Sequence, residues 1–203
     1  MKIAEVGAEE KNLIDAVTAV HMETFPGFFL TFMGKGFLRK MYLSYCEYSK
    51  ASLLCATEDG RVLGFLAYAC DMSGLYKYMI RHHLLAFGFY SAGAFFRKPS
   101  VFMRLLRAFL KPSETRREEA YVELASIGTA PAAKRGGIGT ALIDALKARV
   151  DFDTYAYITL ETDAVDNDAA NRFYLKNGFT LARTYETHEG RKMNEYRYRK
   201  DNK

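Results

Sequence analysis

Cysteine is scarce and odd in number. Cys46, Cys55 and Cys70 form no CxxC spacing, and each sits in an apolar run. This excludes a disulfide framework and a thiolate metal ribbon, and predicts buried, reduced thiols in a cytoplasmic protein. Histidine is nearly as sparse. His21, His82, His83 and His188 show no ligand spacing with the cysteines, so no metal site is expected. Long apolar runs are missing too. The longest uncharged stretch is about 84–96, broken by Gly and Ser, whereas a bilayer-spanning helix needs ~20 apolar residues. No apolar segment follows the lysine of Met1-Lys2-Ile3-Ala4-Glu5-Val6, so a cleaved leader is not expected.

Acid is missing from one region. Between 72 and 117 only Glu114 opposes nine Lys and Arg, giving that segment +8 and the rest of the chain −3. A charge so unevenly placed needs a local explanation. The 203 residues, 49% hydrophobic and 26% charged, otherwise suit one soluble domain, expected over 1–203 with an insertion at about 73–111.

Hydrophobic periodicity places the elements. Residues 2–6 alternate as a strand. Leu13, Ala16, Val17 and Val20 mark a helix over 8–25, ended by Pro26-Gly27. A second helix is expected over 36–49. Strands 52–57 and 61–70 flank Asp59-Gly60, a pair that tolerates the positive φ of a tight hairpin. Residues 73–111 read as helical in two pieces, broken near Lys98-Pro99-Ser100. The second piece sets Phe102, Leu105, Leu106 and Phe109 against Arg104, Arg107 and Lys111. Then come a strand at 121–129, a glycine-rich turn, a helix at 140–150, a strand at 155–161 and a helix at 168–177 capped by Gly178. A hairpin of 179–186 and 193–199, turning at Glu189-Gly190, ends the chain. Hairpins around one strand–turn–helix–strand unit predict an α/β (mixed α+β) fold. Its central sheet would be largely antiparallel with one parallel crossover, flanked by helices.

The most informative run is Lys134-Arg135-Gly136-Gly137-Ile138-Gly139-Thr140, between a strand and an amphipathic helix. Its glycines let the backbone turn tightly and approach a ligand. The helix start offers unpaired N–H groups and a positive dipole end, an anion site suited to a pyrophosphate. Lys134 and Arg135 add charge. No Gly-Lys-Ser/Thr closes it as a Walker loop, and no third glycine completes a dinucleotide fingerprint.

The loop resembles the Q/R-x-x-G-x-G/A signature of the GNAT superfamily of acetyl-CoA-dependent N-acetyltransferases, with Lys134 in the first place and Gly137 and Gly139 as its glycines. Asn167, Ala170, Tyr174, Gly178 and Phe179 fall on the family's second signature, N-x-x-A-x-x-x-Y-x-x-x-G-F. The resemblance is strong over 121–200 and looser over 2–70. It implies that backbone groups of Ile127, Gly128 and Thr129 pair with the pantetheine arm of acetyl-CoA. It implies that N–H groups from Arg135 to Thr140 hold the pyrophosphate, that Asn167 anchors the cofactor near its thiol, and that Tyr174 protonates the leaving thiolate. Lys134 is the one departure, keeping charge but losing a planar hydrogen-bonding group.

An amine attacks a thioester only when neutral, so a base must take its proton. Glu123 stands where histone-type members of the family carry theirs. It reads equally as a solvated or ion-paired strand residue. Backbone N–H groups near 127–129 would stabilise the oxyanion.

The acceptor is less legible. The resemblance implies a primary amine of a small molecule, with a protein or peptide amine, or a non-catalytic acyl-CoA-binding module, as alternatives. The basic 73–111 segment reads as a lid for an acidic acceptor such as a nucleotide-linked amino sugar. It reads also as a helical pair with a solvated face, or, through 98–111, as a membrane-surface or subunit contact within a homodimer. Without recognition motifs, no nucleic-acid partner is expected. Residues 25–30 would line the acceptor cleft or form a hydrophobic joint.

Overall fold

Asp59 and Gly60 both take positive φ, 48° and 75°, as a two-residue primed turn requires. They fold β2 (Ala51–Glu58) back on β3 (Arg61–Ala69). β1 (Lys2–Glu5) joins the far edge of β2, and β4 (Tyr121–Thr129) pairs with β3, both antiparallel. β5 (Tyr157–Asp163) runs parallel to β4. β6 (Thr180–Glu186) and β7 (Lys192–Tyr198) complete a seven-stranded sheet in the order β1-β2-β3-β4-β5-β7-β6. The computed structural model describes residues 1–97, 99, 119–133, 136–187 and 190–200. Lys98, the expected helical piece over 100–111, the loop residues Lys134 and Arg135, and the turn residue Glu189 lie outside the described residues.

Alternation along β2 and β3 sends Leu53, Cys55, Phe65 and Ala67 to one face and Leu54, Ala56 and Leu66 to the other. The first face is buried under α1 (Lys11–Thr24), α3 (Lys35–Glu47) and α4 (Met72–Arg97). The second is buried under α5 (Ile138–Arg149) and α6 (Asp168–Lys176). Each fully buried Leu or Phe contributes roughly 1.5–3 kcal/mol against exposure. α6 ends in a Schellman cap. Gly178 has φ 78°, its N–H donates to Leu175 O, and the Phe179 N–H reaches Tyr174 O.

Three expectations need correction. A short helix, α2 (Phe29–Met33), follows Pro26-Gly27, held where the Thr31 hydroxyl donates to Phe25 O at 2.7 Å. β5 starts at Tyr157, not 155. The Asp151 carboxylate accepts from Thr154 Oγ1 (2.6 Å) and from the Asp153 N–H (3.1 Å), and this side-chain turn keeps 151–155 out of the ladder. Of the three thiols only Cys55 is buried; Cys46 and Cys70 are half-buried. Among the described residues, no helix is long and apolar enough to cross a membrane.

Candidate active site

β4 and β5 share only three ladder positions, Tyr121↔Tyr157 to Glu123↔Thr159. Beyond them β4 stays with β3 as far as Thr129, and β5 stays with β7 as far as Asp163, so the two strands splay. A bulge starts the divergence. Leu124 faces Tyr68 and Ser126 faces Ala67, leaving Ala125 as the extra, exposed residue. Bulges bend a strand and increase its twist.

Hydrogen-bond parity shows what β4 presents to the wedge. The Ala130 N–H donates to Leu63 O at 2.8 Å, so in this antiparallel pair Ala130 and Gly128 turn their polar groups toward β3. Ile127 and Thr129 therefore turn theirs the other way, into the wedge. Thr24 Oγ1 donates to Thr129 O at 3.0 Å, tying the end of α1 to this rim. The backbone offering is thus the Ile127 N–H and C=O and the Thr129 N–H. Gly128 keeps its groups in the sheet and serves by its size, since a Cβ there would stand 2.8 Å from Phe65 and 3.1 Å from Phe25. Phe25 thus packs on β4 beside the wedge, and Phe28 stacks edge-on against it at 5.6 Å.

The glycine turn sits just past this rim. Gly137 takes φ 73° and precedes α5, whose start has no side-chain cap. The first bond of the helix runs from the Ala141 N–H to Gly137 O at 3.0 Å. The N–H groups of Ile138, Gly139 and Thr140 precede it and carry no helical partner. The buried Ile138 side chain locks this end to the sheet, lying 2.9 Å from where a Gly64 Cβ would be. A Cβ on Gly139 would meet the Phe173 ring at 3.0 Å, so that glycine lets α5 and α6 approach.

Tyr174 and Glu123 lie on opposite faces of the sheet. Tyr174 is 8% exposed, its ring packed with Phe173, Phe179 and Tyr196 in the α5–α6 layer. Burial pushes its phenol up to about 12, so it is protonated at neutral pH. Val122 and Leu124 enter that same layer, which turns Glu123 to the other side, where its charge helps burial raise the Tyr45 and Tyr76 phenols of α3 and α4. The Glu161 charge also acts on Tyr76, and the Tyr185 hydroxyl donates to Glu161 at 2.6 Å.

Asn167 precedes α6 and spends its side-chain nitrogen on Thr162 Oγ1, at 2.7 Å. Its side-chain oxygen is the part left for a ligand. Asn171, one turn later, was not singled out from sequence. It donates to Asp163 O and Asn167 O and accepts from Asn194 and Tyr196, fastening α6 to β5 and β7. Also unforeseen is a buried polar chain under the bulge. His21 Nδ1 lies 2.6 Å from the Tyr42 hydroxyl, and the Ser126 side chain lies near enough to act on that phenol. No sequence spacing links positions 21, 42 and 126. The nearest signal is a histidine on the apolar face of α1.

Splayed strands beside an uncapped helix start form a wedge rimmed by backbone N–H and C=O groups. Residues 14–179 match the model of the acetyltransferase (GNAT) family, and the chain belongs to that family of N-acetyltransferase enzymes. No curated protein matches it in sequence. Among solved structures, it is similar to aminoglycoside 6'-acetyltransferase type Ii at 14% identity and TM-score 0.63, over 98% of this chain and 97% of that one. It is similar to the ribosomal-protein-alanine N-acetyltransferase from Brucella melitensis at 15% identity and TM-score 0.60, over 98% and 99%. An acetyltransferase from Bacillus anthracis str. Ames, solved in complex with acetyl coenzyme A, aligns at 15% identity and TM-score 0.51, over 79% of this chain and 68% of that one. At these identities the likeness is one of fold.

Proposed function

We propose that this protein transfers the acetyl group of acetyl-CoA to a primary amine of a small molecule, an amino sugar or nucleotide-linked amino sugar being the first class to test. The observation that carries the reading is the juxtaposition of a wedge rimmed by Ile127 and Thr129 with the uncapped start of α5. A thioester with an extended amide arm and a pyrophosphate fits that pair. The arm would add to β4 as a strand, and the phosphates would take the N–H groups of Ile138, Gly139 and Thr140. Gly137 leaves the backbone open there; Lys134 and Arg135, just before it in sequence, would add charge, and the Asn167 side-chain oxygen would anchor the thiol end.

Glu123 takes the proton of the attacking ammonium, directly or through water, and the neutral amine forms the new C–N bond. Of the 127–129 backbone, the N–H groups of Ile127 and Thr129, which face the wedge, stabilise the oxyanion. As the C–S bond breaks, Tyr174 gives its proton to the sulfur. The two groups act from opposite faces of the sheet, with the wedge between them. The +8 charge of 72–117 favours an anionic acceptor, and we read 1–203 as one domain with 73–111 inserted between β3 and β4. A thiol-release screen over amino sugars, nucleotide-linked amino sugars, polyamines and peptides tests the acceptor. Turnover confined to peptide N-termini would replace the small-molecule reading, and acetyl-CoA binding without turnover would leave a binding module.

A further inference from the structure

The turn that delivers Asn167 is strained. Between β5 and α6 the chain passes through Asp166 at φ 56°, one of two positions among the described residues where a residue other than glycine takes positive φ. Such a conformation persists where the surroundings over-determine it. Asn171 supplies that hold. Its amide nitrogen donates to Asp163 O at 3.0 Å and to Asn167 O at 2.9 Å, so one side chain spans both ends of the turn. Its amide oxygen accepts from Asn194 Nδ2 and from the Tyr196 hydroxyl, both at 2.9 Å. A carbonyl can only accept, so the two backbone oxygens fix which end of this amide is nitrogen. Both of its protons and both lone pairs of its oxygen are then engaged. The chain of bonds runs on to the sheet edge, where Thr184 Oγ1 of β6 donates to Asn194 Oδ1 at 2.7 Å. From the hairpin between β6 and β7, Arg191 grips the Asp163 carboxylate with bonds of 2.7, 2.8 and 3.1 Å.

We propose that Asn171 is a positioning residue for acetyl-CoA: by closing the 163–167 turn, it holds Asn167 with its side-chain oxygen at the thiol end of the cofactor. This rests on the proposed function, in which Asn167 anchors that end. Asn167 fixes its own side chain, whose nitrogen reaches Thr162 Oγ1 at 2.7 Å and Asp163 O at 3.4 Å. Its carbonyl is fixed by Asn171, through the side chain at 2.9 Å and the helical N–H at 3.1 Å. Without the side-chain clasp Asp166 is free to return to negative φ, and that rotation carries Asn167 with it. Few residues can do this work. A carboxylate at 171 has no proton for either carbonyl, and an aliphatic side chain bonds neither the carbonyls nor β7. The far strands thus reach the cofactor through one amide. Asn194 and Tyr196 of β7 hold Asn171, and Asn171 holds Asn167.

The test is a double-mutant cycle read by calorimetric titration of acetyl-CoA into the full chain. Asn171→Ala is expected to weaken binding about tenfold, and Asn167→Ala by about as much. Because Asn171 acts through Asn167, the double variant binds about as weakly as Asn167→Ala alone, where independent effects would multiply to about a hundredfold. A cooperative thermal transition in each variant checks that the domain is folded. Should Asn171→Ala fail to fold, Tyr196→Phe keeps the ring and removes one donor to Asn171. Its loss, about two- to threefold, disappears in the Asn167→Ala background. Affinity equal to the parent's in Asn171→Ala or in Asn167→Ala overturns the inference. So do losses that multiply in the double variant, which would make Asn171 a structural residue. A parent chain that binds no acetyl-CoA overturns the proposed function and this inference with it. A parent that binds, beside an unaffected Asn171→Ala, overturns this inference alone.

Discussion

His21 makes acid stability the most quantitative test of the polar chain beneath the β4 bulge. The side chain is 3% exposed, close to the rings of Phe25 and Phe65, and its one hydrogen bond is to Tyr42. Its Nε2 is buried without a partner among the described residues. Desolvation lowers its pKa from 6.5 to about 4, so the folded state holds it neutral. The unfolded chain takes up a proton as pH falls below 6.5, and the folded chain does not until about 4. Stability is therefore unaffected by this group above 6.5, erodes between 6.5 and about 4, and loses little more below. The depression corresponds to roughly 3 kcal/mol at the acid end. Urea unfolding followed by circular dichroism at neutral and acid pH, for the parent and for His21→Gln, isolates the effect, because every other titrating group is common to both. The parent should lose roughly 3 kcal/mol more than the variant over that range. Parallel losses in the two proteins would show that His21 titrates normally, and the account of a sealed polar chain would be wrong.

The same group predicts that Tyr42→Phe, which leaves His21 Nδ1 without its partner, costs about 1–3 kcal/mol and lowers Tm by roughly 2–12 °C in a thermal scan. Gly137→Ala meets no neighbouring atom but forces a Cβ into the left-handed region, at about 1–2 kcal/mol. If the α5 start binds phosphates, acetyl-CoA affinity should fall about tenfold by calorimetry while the fold persists. Tyr174→Phe should reduce kcat by about 10²–10³ with acetyl-CoA affinity retained. Because burial pushes this phenol up to about 12, the parent's kcat should show no alkaline fall from it until pH approaches that value. A parent and variant of equal kcat would remove Tyr174 from the chemistry. Glu123→Gln should lower kcat/KM by about 10²–10³ near neutral pH and recover toward high pH, where the amine loses its proton unaided. A pH-independent defect would make Glu123 a structural residue.

Much of the architecture was legible because its signals are local. Asp59-Gly60 dictated a hairpin, Gly178 dictated a helix end, and the turn before α5 could be read as an anion site from three glycines and an amphipathic run. What escaped depends on partners distant in sequence. The carboxylate of Asp151 delays β5 by capturing Thr154, against the strand propensity of Tyr155. Asn171 looks like any surface helix residue until β7 brings Asn194 and Tyr196 to it. The bulge at Ala125, which opens the wedge, exists only relative to the register of β3. Loop chemistry therefore marked where a cofactor would lie, while the groups that hold the wedge open had no sequence signature.

The central claim is that the wedge of β4 and β5, with the start of α5, holds acetyl-CoA. The most direct measurement is calorimetric titration of acetyl-CoA into the full chain, beside the same titration into Gly137→Ala. The account predicts saturable binding at a single site, weakened in the variant. An absence of heat at millimolar acetyl-CoA, or equal affinity in the two proteins, would contradict it.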